Sequence, residues 1–179
     1  MSGTLEEWIQ AGRLDVAVLF DHRAYEHISA VEIMTEDLVL HVPARSGLAG
    51  TPAIPFGKLA GVPLVLPSPG HVVRSLVAKQ AGLSGCDLSV MNCDSLPATR
   101  QLVRAGYATI APHFAFAEEI ERGELAAVPI VDPTPSWRIS IGVSPRTVPP
   151  RAAHILAGVL EEVCRDLVRT GIWRATLAG

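Results

Sequence analysis

The run Asp94-Ser-Leu-Pro-Ala-Thr-Arg-Gln-Leu-Val-Arg-Ala-Gly-Tyr-Ala-Thr-Ile-Ala-Pro-His-Phe114 (DSLPATRQLVRAGYATIAPHF, residues 94–114) decides how the rest of the chain is read. Its first half is a helix: Ser95 or Asp94 can cap it, Pro97 falls in the first turn where a missing N–H does no harm, and Gly106 ends it. Leu96, Thr99, Val103 and Gly106 share one face. The second half, Tyr107 to Ala111, is a short strand of small apolar residues, suited to an inner position covered on both faces by helices. That strand stops at Pro112-His113-Phe114, and in an open α/β sheet the residues just beyond a strand's carboxyl end are where ligands bind.

The same unit recurs on either side. Thr4 to Glu7 has capping-box spacing, Leu5, Trp8 and Ile9 form an apolar face, and Gly12 suits a left-handed helix end before the strand LDVAVLF, 14–20. Strands are predicted at 38–42 (LVLHV), 63–67 (PLVLP), 87–93, 125–131 and 137–144, and helices from the Ser68-Pro69-Gly70-His71 turn to about Ala81 and over 115–122. The longest helix runs from Pro149-Pro150 to Thr170, with an apolar face at Ala152, Ile155, Leu156, Val159, Val163 and Leu167. Alternation of this kind predicts right-handed crossovers and a largely parallel sheet. Residues 43–57 and 132–136, rich in Pro, Gly or Ser, break the rhythm. A chain leaving one lobe at the first and returning at the second makes two lobes joined by two crossing strands.

Composition narrows the function. The chain has 179 residues, 49% of them hydrophobic, which is ample for a core, yet no stretch approaches the roughly 18 apolar residues of a membrane span. The N-terminus MSGTLEEWIQ has no secretory pattern, and three scattered cysteines (Cys86, Cys93, Cys164) fit neither a disulfide frame nor a CxxC metal site, so a reducing cytoplasm is expected. Fifteen basic residues against eighteen acidic ones, without a basic cluster, argue against phosphate-backbone binding by this chain.

The words GRLDVAVLF (12–20), EDLVLHVPARSGLAG (36–50), LAGVPLVLPSPG (59–70), DSLPATRQLVRAGYATIAP (94–112) and VSPRTVPPRAAHILAGVLEEV (143–163) occur in the order found in the effector-binding domain of LysR-type transcriptional regulators, which this chain resembles over nearly its whole length. The resemblance implies an α/β, periplasmic-binding-protein-like (type 2) fold of two doubly wound lobes. Lobe I is then residues 1–40 with 143–179, lobe II is 44–136, and hinge crossovers lie near 38–44 and 136–143. The matched words begin inside lobe I, after the point where the family has a first strand, helix and strand. The winged helix-turn-helix falls outside them, so DNA is reached only through an N-terminal domain absent from this chain.

A small-molecule effector is implied in the cleft, anionic at one end with an apolar or aromatic body. The positions matching the family's contacts are Ser2 as a hydroxyl donor, Gly3 and Thr4 through their backbone N–H groups, Phe20 as an aromatic wall, and Pro112 and Phe114 after the lobe II strand. The strand-end rule adds Ser68, Pro69, Gly70, His71 and His113. No catalytic residues, cofactor or metal site are expected; the implied protein is a homo-oligomer, dimer or tetramer, with no membrane partner. Each assignment has a plainer rival: Ser2 and Thr4 as caps, His71 and His113 as surface turn residues, Phe114 as an anchor of the next helix, Arg74 as a solvated charge, Cys93 as a small hydrophobe. Two other functions share the architecture. A transporter's solute-binding protein calls for a signal peptide or lipoprotein cysteine, and an enzyme on a flavodoxin-like fold calls for a motif such as GxGxxG or GxSxG; the sequence carries neither.

Overall fold

The computed structural model describes the backbone of residues 2–21, 28–148 and 150–179; the side chains at 2–4, 6 and 150 lie outside that description. In chain order the elements are α1 (Ser2–Gln10), β1 (Val16–Phe20), β2 (Ser29–Pro43), β3 (Ile54–Pro55), β4 (Leu64–Leu66), α2 (Val72–Ser84), β5 (Val90–Asn92), α3 (Leu96–Ala105), β6 (Thr109–Pro112), α4 (Ala117–Glu121), β7 (Leu125–Val131), β8 (Ser136–Val143), α5 (Pro150–Arg169) and β9 (Thr176–Leu177), with short 3-10 turns at Phe56–Leu59 and His113–Phe116. The chain forms two compact units, Met1–Glu36 with Trp137–Gly179, and Asp37–Ser136.

In the first unit β1 runs antiparallel to β8, and β9 lies antiparallel on the first half of β2. Ile9, Ala17, Leu19 and Ile28 make a core to which Leu5 and Leu14 add their sides. Gly142 has no room for a side chain: a Cβ there would stand 2.8 Å from Leu19 Cδ1 and 3.1 Å from Ile28 Cγ2. Helix α1 begins at Ser2, so Thr4 stands inside its first turn rather than at its cap, while Gly12 takes the left-handed conformation (φ +71°) as its position after the helix requires.

In the second unit the far half of β2 pairs antiparallel with both β6 and β7, and β3 runs parallel to β7. Strand β4 runs parallel to β5 and bridges in parallel to Ala108 at the start of β6. Val65, Val103, Phe116 and Leu125 form the core beneath α3 and α4. Antiparallel pairing therefore dominates among the described strands, against the parallel sheet that alternation predicts. The reason is β2: its 15 residues serve both units and accept partners running the other way on either side.

The amphipathic reading of α5 also needs correction. Its buried residues are Ala153 and Cys164, whereas Ile155, Leu156, Val159 and Val163 are half exposed. Ala153 and Cys164 mark the side that packs inward, and the bulky stripe lies roughly a third of a turn round the helix from them.

Candidate functional site

Three parallel strands place the candidate site. The Val65 N–H donates to the Ala108 carbonyl (2.8 Å) and the Ala108 N–H to the Pro63 carbonyl (2.8 Å), which aligns β6 with β4. The Cys93 N–H donates to the Leu66 carbonyl (2.9 Å), which aligns β5 with β4. All three strands end on the same side, and each gives way there to a turn that opens a helix. Ser68–His71 leads into α2, Asp94-Ser95 into α3, and Pro112–Phe116 into α4. Seven of the residues singled out from sequence (Ser68, Pro69, Gly70, His71, Pro112, His113 and Phe114) thus share one end of one strand set.

The turn after β4 is built from within. The Ser68 backbone N–H donates to Asp94 Oδ1 (2.9 Å) and its hydroxyl to Asp94 Oδ2 (2.6 Å). Those two bonds hold the exposed Asp94 carboxyl below its ordinary range, the hydroxyl contributing most. Ser68 is therefore a donor already spent, and the exposed Asp94 carboxylate is the acceptor at this turn. Gly70 adopts φ +96°, which only glycine tolerates readily.

His71 caps α2: its Nδ1 accepts the Val73 N–H at 3.2 Å. Burial pushes its pKa down, so the ring is neutral at pH 7. With Nδ1 accepting, the single ring proton sits on Nε2, leaving that nitrogen a donor. Arg74, one turn along, is aimed by a hydrogen bond to Asn92 Oδ1 (3.1 Å). Ser95 caps α3 through the Ala98 N–H (3.4 Å), which settles the choice between Ser95 and Asp94.

On the β6 side, Pro112 is buried and His113 half-buried, while Phe114 is half exposed. The anchoring role open to Phe114 belongs instead to Phe116, which is fully buried. Beneath this turn lies His41, wholly buried on β2: its Nε2 donates to the Pro112 carbonyl at 3.3 Å, and its ring rests 4.5 Å from that of Phe116. Burial drives its pKa down to about 4.

The remaining candidates belong to the first unit. Ser2, Gly3 and Thr4 make the first turn of α1, and the side chains of Ser2 and Thr4 lie outside the described residues. Phe20 ends β1 with its ring 4.8 Å from Trp137, whose indole N–H donates to the buried Glu36 carboxylate (2.9 Å).

Chemically the site offers donors (His71 Nε2, Arg74 and the amides opening α2 other than that of Val73), one fixed carboxylate and an aromatic wall. This is equipment for holding a small polar molecule. The Cys93 thiol lies 3.6 Å from the Ser95 carbonyl, and among the described residues no three potential metal ligands cluster. Asp94, Arg74 and His41 carry more of this site than their sequence contexts indicate. The Asp94–Ser68 bond spans 26 positions and leaves no local pattern, whereas a histidine inside LVLHV was a visible signal of burial.

The family model of the LysR substrate binding domain matches residues 1–165. The chain belongs to that family, the effector-binding domains of LysR-type transcription regulators, which have the type 2 periplasmic-binding-protein-like fold. Among curated relatives, a probable hydrogen peroxide-inducible genes activator of Streptomyces viridosporus is 32% identical over 93% of this chain and 54% of its own length. The chain spans about half the length of the curated relatives it matches. Among solved structures, the regulatory domain of CcmR from Synechocystis PCC6803, in complex with 2-PG, superposes with a TM-score of 0.78 at 17% identity, covering 90% of this chain and 79% of that one. The reduced OxyR regulatory domain of Pseudomonas aeruginosa gives 0.73 at 21% identity, covering 89% and 78%. At these identities the structures speak for the fold.

Proposed function

We propose that this chain senses a small anionic metabolite at the carboxyl ends of β4, β5 and β6, and that it acts by binding rather than by turnover. The supporting observation is the shared parallel register of those strands, which gathers the Ser68–His71, Asp94-Ser95 and Pro112–Phe114 turns. An anionic group fits beside His71 Nε2, Arg74 and the amides opening α2, where the helix dipole adds to the attraction. It must avoid Asp94, so the effector carries a hydroxyl or ammonium donor on that side and lays its apolar body against Phe114. The regulator works in the cytoplasm as a homo-oligomer, and its DNA contact is made by a separate N-terminal domain. We read the two units as lobes whose crossings, after Glu36 and after Ser136, transmit the effector signal; a ligand biases such a change only by its differential affinity for the two states.

The test is a thermal-shift screen of small carboxylates, sulfonates, amino acids and aromatic acids. A true ligand raises stability by RT ln(1 + [L]/Kd). The expected hit loses most of its shift in His71→Ala and in Arg74→Ala. A panel without a hit, or a hit indifferent to both substitutions, contradicts the proposal.

The names of the relatives, activators of hydrogen peroxide-inducible genes, raise a second reading, a response to peroxide, which in this chain would call for a pair of cysteines able to form a disulfide. Cys86 and Cys93 do not support it. Cys86 follows the end of α2, its N–H bonded to the Ala81 carbonyl, whereas Cys93 follows β5 at the opposite end of that strand. The extended stretch from Ser89 to Cys93 alone spans about 13 Å, and a disulfide needs Cα atoms within about 7 Å.

A further inference from the structure

Given the strand-end turns as the effector site, on which this proposal rests, we propose that Arg100 is its positioning residue. Arg100 locks the Pro112–Phe116 turn to the helix opened by Asp94-Ser95, and so fixes Phe114 relative to the Asp94 carboxylate. It stands in the second turn of α3, the helix capped by Ser95. Its Nη2 donates to the Ala115 carbonyl at 2.9 Å, and its Nε stands 3.3 Å from Glu119 Oε1. The guanidinium carbon lies 5.9 Å from the centre of the Phe116 ring. One planar group thus reaches the backbone of the turn, the buried ring that ends it and the helix that follows.

The turn is held at both ends. His41 Nε2 donates to the Pro112 carbonyl at 3.3 Å, and Arg100 does the same for Ala115. Between those two anchored carbonyls lie His113 and Phe114, the residues the turn offers to a ligand. At the other end of α3's first turns, Asp94 is tied to Ser68 by bonds of 2.9 and 2.6 Å. A continuous path of contacts therefore runs from Ser68 through Asp94, α3 and Arg100 to Ala115, and it crosses all three turns. A site fixed in this way loses less freedom when it binds, which strengthens binding without any new contact.

The charges beside Arg100 separate this role from plain stabilisation. Glu119 is 4% exposed, and a buried ion pair is a weak way to stabilise a fold. Arg104 Nη2 lies 3.8 Å from the same Glu119 oxygen, but its Nε donates to Glu124 at 2.9 Å, away from the turn. Arg104 therefore shares the ion pair without holding the turn. Lysine at position 100 would keep a cation for Glu119, but its point charge lacks the planar fork that serves carbonyl, carboxylate and ring together.

Relaxation-dispersion NMR on the ligand-free chain tests the lock, because it reads exchange on the microsecond–millisecond scale. The wild type is expected to give flat profiles at residues 113–116. Arg100→Lys should introduce exchange at those amides, with the circular dichroism spectrum and the amides of Ser68, Gly70 and His71 unchanged. Arg104→Lys should resemble the wild type. An Arg100→Lys profile identical to wild type, or the same loosening in Arg104→Lys, overturns the proposal. Should Arg100→Lys not fold, the wild type alone decides. Its Arg100 Nε is expected to be as ordered as rigid backbone, with an order parameter of about 0.85; an Arg100 as mobile as the exposed Arg122 overturns the lock. Any acid of the thermal-shift panel that stabilises the wild type should bind Arg100→Lys several-fold more weakly. Equal affinity beside a loosened turn overturns the positioning role, whereas a panel without a hit contradicts the site and leaves the lock to be decided by relaxation alone.

Discussion

Asp94 is exposed to water, yet two bonds from a single serine hold its carboxyl below the usual carboxylate range. Ser68→Ala removes the stronger of the two, so the Asp94 pKa should move up toward its ordinary value, as a carbon-detected NMR titration would show; an unmoved titration denies the contact. His41 carries a larger linkage. Its pKa falls from 6.5 in the unfolded chain to about 4 in the fold, because burial disfavours the charged ring. Above pH 6.5 the ring is neutral in both states and the fold incurs no penalty. As pH drops from 6.5 to 4 the unfolded chain takes up a proton that the folded chain refuses, and stability falls by about 3 kcal/mol. Urea unfolding across that window should show the loss, and His41→Gln should flatten it. The strand-end positions of His71 and His113 were legible from sequence, since a turn after a parallel strand is a general ligand position. What could not be read was that Ser68 gives both its donors to Asp94, or that Pro112 is held from below by His41: these bonds join residues 26 and 71 positions apart.

At the scale of elements, Gly142 in β8 illustrates how packing overrides pattern. WRISIGVS alternates like a half-exposed strand, but Ile139 through Val143 are all buried, with α1 and β1 residues crowding the glycine. Gly142→Ala should destabilise the chain by about 1–3 kcal/mol through overpacking against Leu19 and Ile28; denaturant unfolding measures it, and a neutral result would show that Leu19 yields. Helices α3 and α5 and strand β7 follow the sequence closely, because caps, prolines and glycines punctuate them locally. Strand β2 was seen only in its second half, since Ser29 to Asp37 interleaves acidic residues with apolar ones and takes its conformation from partners distant in sequence. The inward face of α5 escaped for a related reason. Periodicity finds a helix's apolar ridge but does not say whether the sheet or another helix covers it.

For the whole molecule, membership of the LysR substrate-binding family settles the architecture, and the thiols separate two modes of sensing. Hydrogen peroxide treatment followed by intact-mass analysis should give no loss of two hydrogens from a Cys86–Cys93 bond; finding that loss would revive the redox reading. The central claim is that the turns after β4, β5 and β6 together receive a small molecule, and amide chemical-shift mapping of any thermal-shift hit from the acid panel tests it most directly. Saturable shifts concentrated at residues 70–74, 94–96 and 113–115 are expected. Shifts confined to one of those turns, or clustered elsewhere in the chain, would contradict it.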